Sequence, residues 1–80
     1  MYSHAEGYKS STGTDADTAH AEGFTTQATG FAAHSEGHTT IASGSNSHAE
    51  GKETQAIGIN SHAEGFKTKA LGDYSHAEGN

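Results

Sequence analysis

Six histidines and six glutamates in this chain come in pairs two residues apart: His4/Glu6, His20/Glu22, His34/Glu36, His48/Glu50, His62/Glu64 and His76/Glu78. An imidazole and a carboxylate at that spacing can share a proton, serve as acid and base, or ligate a divalent ion. Six copies argue against a single active site, which needs a nucleophile, a base and oxyanion donors converging on one point. No such constellation accompanies the pairs, so no enzymatic activity, catalytic residue or organic cofactor is expected. His34-Ser35-Glu36-Gly37-His38 has two histidines at i, i+4, but without a helix to put both rings on one face it is not the zinc-protease motif.

The pairs sit inside a five-letter motif, Ser-His-Ala-Glu-Gly, at 3–7, 47–51, 61–65 and 75–79, with variants at 19–23 and 33–37. From His20 onward the spacing is 14 residues, while His4 to His20 is 16, so one period carries a two-residue insertion between Gly7 and His20. Between the motifs Gly-x-x-Thr-x-Ala-x-Gly recurs, as in Gly51-Thr54-Ala56-Gly58. Each period is two half-repeats of seven. A strict short period implies a stack of like units, so residues 1–80 are expected to form one repeat domain of about five coils.

Parity says what each half-repeat is. In Ser47-His48-Ala49-Glu50-Gly51 the small residues share one parity and His48 and Glu50 the other, the signature of a two-faced strand. Ser-x-x-Glu is also a helix capping box, but a glycine follows every motif glutamate and another arrives seven residues later, leaving no room for a helix. Strands of about five residues joined by two-residue corners such as Lys52-Glu53 and Ile59-Asn60 account for the period. The expected fold is all-β, a parallel β-roll with two short strands per coil. Its interior would be Ser47, Ala49, Gly51, Thr54, Ala56, Gly58, Ser61, Ala63, Gly65, Thr68, Ala70 and Gly72, side chains small enough to bring two sheets closer than the ordinary ~10 Å. Glycine suits tight corners of positive φ, and the absence of proline leaves every ladder N–H in place.

Leu, Ile, Val and Phe make up only about a tenth of the chain, and the formal net charge is −6, a profile usually tied to disorder. The repeat overrides that reading, but so small an apolar content predicts that burial is completed by self-association. There is no cysteine to staple the fold. Four basic residues against ten acidic ones oppose nucleic-acid binding. No apolar run approaches the ~18 residues of a membrane span, and Met1-Tyr2-Ser3-His4 lacks the features of a signal peptide, so any targeting signal is expected outside this chain.

The outward faces differ in kind. One carries His and Glu in every copy; the other varies through Gln27/Thr29, Ile41/Ser43, Gln55/Ile57 and Lys69/Leu71. Constant positions point to contact and variable ones to solvent. Stacked glutamates repel by on the order of 1 kcal/mol per pair at ~4 Å in water, so each needs a partner, and the histidine two residues earlier can donate to it. The first reading is that His4, Glu6, His20, Glu22, His34, Glu36, His48, Glu50, His62, Glu64, His76 and Glu78 line the axis of a homotrimer. A solvated polar face is the plainer alternative. Metal ligation by His20, His34, His48, His62 and His76 from three chains is the sharper one. Charged pairs would make stability hold at pH 5, whereas neutral buried histidines would make it fall there. Tyr8, Phe24 and Phe66 follow motif glycines and Phe31 a second-half glycine; such rings pack on an adjacent coil or subunit, or stack on glycans. Thr26, Thr40, Thr54 and Thr68 form a ladder that raises ice binding as a further alternative, although parity points them inward.

The pattern resembles the YadA-like head repeat of trimeric autotransporter adhesins, in which a Ser-x-Ala-x-Gly strand recurs every 14 residues, and the similarity covers essentially the whole chain. Similar His-Ala-Glu-Gly repeats look like those of phage tail and neck appendage proteins. The resemblance implies a left-handed parallel β-roll, three copies side by side, and a non-enzymatic structural or adhesive role on a cell surface or virion appendage as part of a longer protein. The implied partners are two identical chains and a host-surface or matrix receptor. Where that family's strand places two branched aliphatic residues, this chain has pairs such as His62 and Glu64, which implies a polar trimer interface.

Overall fold

The computed structural model describes residues 4–12 and 18–79. Alternation of tiny and polar residues gives a long strand in each first half-repeat: β1 (His4–Tyr8), β3 (His20–Phe24), β5 (His34–His38), β7 (His48–Lys52) and β9 (His62–Phe66), with a shorter β11 (His76–Ala77). The second half-repeats give β2 (Ser11–Thr12), β4 (Gln27–Ala28), β6 (Ile41–Ala42), β8 (Gln55–Ala56) and β10 (Lys69–Ala70). All pairing is parallel. The odd strands form a six-stranded sheet in chain order and the even strands a five-stranded one, so the chain is a β-solenoid of about five turns with 14-residue coils and no helix among the described residues.

Register places like on like: His48 opposes His62, Ala49 opposes Ala63 and Glu50 opposes Glu64. The first two strand pairs are offset by 16 residues, as in His4 with His20 and Thr12 with Ala28, whereas later ones are offset by 14. The two-residue insertion therefore falls between Thr12 and His20, a stretch that includes residues outside the described set.

The core is made of alanine. Ala19, Ala21, Ala28, Ala33, Ala42, Ala49, Ala56, Ala63 and Ala70 form one buried cluster, and the largest fully buried side chains are threonines and serines. Without larger groups between the sheets, the molecule is thin, with principal extents of 31 × 24 × 11 Å. The buried hydroxyls have a reason to be there. Ser47 Oγ donates to the Gly44 carbonyl at 2.6 Å and Ser61 Oγ to that of Gly58 at 2.6 Å, while Thr54 Oγ1 donates to the Glu50 carbonyl at 3.1 Å. Each bond ties a strand end to the corner beside it and satisfies the hydroxyl that burial would otherwise strand. Thr26, Thr40 and Thr54 are fully buried and Thr68 is half-buried, so the threonine ladder offers no outward face to ice.

Three expectations from the sequence need correction. The second strand of each coil has two residues rather than five, because Gly58 and its equivalents already begin a turn, with Ser61 N–H bonded back to the Gly58 carbonyl. Positive φ at the corners belongs mainly to non-glycine residues: Thr18, Thr25, Ala32, Thr39, Asn46, Glu53, Asn60, Lys67 and Tyr74 recur every seven residues with φ of 55 to 62°. In turns such as Gly44–Ser47 this falls at the third position, as type II geometry demands. The left-handed residue then donates its N–H to the neighbouring coil, as Glu53 does to the His38 carbonyl at 2.8 Å. Finally, Gly51 is exposed and Gly65 half-buried, against the inward placement that parity predicts, and Gly72 is also exposed.

Gly51 has φ of +110°, and a Cβ built there would lie 2.1 Å from the Gly65 carbonyl oxygen. Small size matters here for coil-to-coil approach rather than for filling the interior. In the second-half column a Cβ at Gly44 or Gly58 would likewise lie 2.1 Å from the next glycine's oxygen, whereas Gly72, the last described member, has its nearest contact at 3.9 Å. Gly51→Ala is expected to cost about 3 kcal/mol or more, lowering Tm by more than ~10 °C, since it combines a backbone clash with a disfavoured φ. Gly72→Ala should leave Tm within ~3 °C; equal losses in the two thermal melts would refute the claim that coil-to-coil contact is what demands glycine.

Candidate functional site

The odd-numbered strands bring all six His/Glu pairs onto one face of one sheet. Because β-pleat alternation sends Ala21, Ala49 and Ala63 inward, His and Glu must project outward. Coil stacking then superposes the rings: His4, His20, His34, His48, His62 and His76 form a continuous stack with centroids 4.6–4.9 Å apart. His34, His48 and His62 are almost parallel, at interplanar angles of 2° and 1°. Beside this stack runs the glutamate column. The separation of Nε2 from Oε1 grows along the chain, from 2.6 Å at His4/Glu6 through 2.9 Å at His34/Glu36 to 3.1 Å at His48/Glu50 and His62/Glu64.

The first three pairs are hydrogen bonds in which Nε2–H donates to the carboxylate, which fixes the Nε2-protonated form in those rings. At His48 and His62 the Nε2 atoms are buried and have no hydrogen-bond partner despite their nearby carboxylates. The ladder is neither core nor free surface. Side-chain exposure is about a third for His48 and Glu50, against 55% and 62% for His4 and Glu6 at the end of the roll.

Next to the glutamates the motif glycines leave a trough. Glu6, Glu22, Glu36, Glu50, Glu64 and Glu78, with the glycine that follows each, line a groove of about 750 Å³ running the length of the roll. Carboxylates repeating at the coil spacing of ~4.8 Å repel by about 0.9 kcal/mol per neighbouring pair in water, and more where water is displaced. A neutral histidine donates a hydrogen bond but cancels none of this charge. The groove is therefore a continuous negative surface of fixed pitch.

Of the other residues singled out in the sequence, Gln27, Thr29, Ser43, Ile57, Lys69 and Leu71 are exposed on the second sheet, and Ile41 and Gln55 are half-buried. Tyr8 stacks on Phe24 at 4.8 Å, and Phe24 stacks on His38 at 4.7 Å. The adjacent-coil packing of these rings leaves them about half exposed. Sequence reasoning missed the other members of this column. His38 and Lys52 occupy the position after the motif glycine, where Lys52 Nζ lies 5.7 Å from the Phe66 ring centroid and Lys67 Nζ 5.2 Å from it. The signal was present, since both follow Glu-Gly as the aromatics do. His38 stands in this corner column, away from the His/Glu ladder, and its Nδ1 pairs with the Thr39 hydroxyl at 3.0 Å. Phe31 is exposed.

Burial pushes the pKa of His48 below the ordinary histidine value of 6.5, repulsion from His34 adds to the effect, and Glu50 opposes it. A histidine whose folded pKa lies below its unfolded one binds more protons when unfolded. Its contribution to stability is fully present above pH ~6.5 and is lost as pH falls through that value toward the folded pKa. Thermal melts from pH 8 to pH 5 should show Tm falling below pH ~6.5, with a smaller fall in His48→Gln. A Tm that holds or rises down to pH 5 would instead mark charged Glu–His pairs.

A scan against protein-family models finds no match to this chain, and comparisons with curated proteins and with solved structures likewise find none.

Proposed function

We propose that this chain is a non-enzymatic structural segment of a trimeric fibre, of the kind found in a surface adhesin head or a phage tail appendage, and that it works outside the cell. The observation that carries the reading is the contrast between the two sheets. One repeats the same His/Glu ladder in every coil, half-buried along its middle, beside an open groove, while the other changes its side chains from coil to coil. A face held constant through a repeat is a face that meets something equally periodic, and another copy of the same roll has the matching pitch.

The thin alanine core points the same way. A roll whose described residues include no fully buried side chain larger than threonine gains little from the hydrophobic effect within one chain, at ~25 cal/mol per Å² of apolar surface removed from water. Side-by-side association of three left-handed rolls would bury the ladder and the groove together. The varied second sheet, with Gln27, Ile41, Gln55, Ile57, Lys69 and Leu71, would remain outward as the surface for a host receptor or matrix. A repeated face with no convergent nucleophile supports a mechanical role over a catalytic one.

Light scattering during size-exclusion chromatography tests the assembly. The expected mass is three times the 8.2 kDa chain, about 25 kDa. Glu50→Arg, on the ladder, should shift the peak toward one chain, while Gln55→Arg, on the varied sheet, should leave it in place. A single-chain peak for the parent protein at micromolar concentration would refute the trimer. Glycan and matrix arrays then separate an adhesive head, which binds, from a spacer, which does not.

A further inference from the structure

Two ring nitrogens of the ladder stand apart from the rest. Among the buried side-chain nitrogen and oxygen atoms of the described residues, only Thr26 Oγ1, His48 Nε2 and His62 Nε2 lack a hydrogen-bond partner. Both nitrogens belong to successive coils, since His48 and His62 are directly paired across β7 and β9. The Glu50 carboxylate stands beside both. Its Oε1 is 3.1 Å from His48 Nε2, and the ligand atoms of His48, Glu50 and His62 all fall within 4.8 Å of one another.

These separations have a chemical meaning. Two donors ~2.0–2.1 Å from one tetrahedral ion stand about 3.3 Å apart, close to the 3.1 Å between His48 Nε2 and Glu50 Oε1. The second nitrogen needs the two parallel rings, stacked at 4.8 Å, to turn out of their stack and swing their nitrogens together by up to about 0.7 Å each, because any two ligands of a tetrahedral ion lie about 3.3 Å apart. Rings on the half-exposed face of a sheet have room to do so. Two imidazole nitrogens with one carboxylate oxygen suit a borderline first-row ion, whereas Mg²⁺ and Ca²⁺ demand oxygen donors.

The neighbouring sets are less suited. His34, Glu36 and His48 are also close together, but His34 Nε2–H is donated to Glu36 at 2.9 Å, and a His48 nitrogen with one lone pair serves only one ion. Glu64, His76 and Glu78 bring a single nitrogen, and two of the three residues are exposed. We propose that His48, Glu50 and His62 form a binding site for one divalent first-row transition ion, such as Zn²⁺, which clips two adjacent coils together through ligands of a single chain. The site does not depend on the trimer, because every ligand comes from one roll.

Titration of Zn²⁺ into the untagged, EDTA-stripped protein by calorimetry tests this, with light scattering of the same sample recording its assembly state. The expected result is one saturable ion per chain, no comparable heat with Mg²⁺, and affinity lowered about tenfold or more in His48→Gln and in His62→Gln but unchanged in His20→Gln. Zn²⁺ should also shift the imidazole nitrogen NMR signals of His48 and His62 selectively, a readout that needs no variant to fold. Absence of a saturable site, one ion per His/Glu pair, or equal loss from His20→Gln and His62→Gln would overturn the proposal.

Discussion

The constraint on which everything else rests is the coil pitch. Parallel ladders hold successive coils at the strand spacing of ~4.8 Å, so each residue has its equivalent from the next coil directly above it. Whatever occupies a position must tolerate contact with a copy of itself. Alanine does so at no cost in side-chain entropy, and imidazole rings stack at a separation that suits them. Glutamate tolerates it only with help. Glycine is required where a Cβ would meet the next coil's backbone, as at Gly51 against Gly65.

The same constraint sets the corners. A left-handed conformation costs a non-glycine residue roughly 1–2 kcal/mol, yet the chain adopts it at Thr39, Glu53 and Lys67. At each of these the conformation points an N–H at the carbonyl of the coil below, as Lys67 does to Lys52 at 2.9 Å. The local strain is offset by a hydrogen bond that recurs in every coil. The buried hydroxyls do similar work inside, so the corners are fixed from both sides.

Much of this was legible in the sequence, and the failures share one cause. Parity placed His48 and Glu50 outward with Ala49 inward because the first half of each coil is an ordinary extended strand in which alternation holds. It failed at Gly51, because alternation assumes extended backbone and a residue at φ of +110° breaks it. The left-handed Thr, Lys and Glu residues run against intrinsic preference, so their only trace in the sequence was a spacing of seven. The stacked histidines followed from the period alone. The lack of a hydrogen bond at His48 and His62, in pairs of the same sequence as His4/Glu6, is a matter of how ring and carboxylate are oriented at 3.1 Å, which no residue type encodes.

Periodicity also limits what the ladder can specify. In the proposed trimer, sliding one roll past another by a whole coil would restore every His/Glu contact except at the ends, because each coil presents the same pair. Polar contacts between ladders therefore select the face and the spacing but leave axial register degenerate. Only positions that differ between coils can lift that degeneracy. The corner column supplies such positions: Tyr8, Phe24, His38, Lys52 and Phe66 succeed one another with no two neighbours alike, each exposed beside the constant face. A lysine set against an aromatic ring is favoured, by ~0.5–1 kcal/mol at exposed sites, whereas lysine against lysine is not. The uneven column, rather than the conspicuous ladder, is where three identical rods would find their alignment.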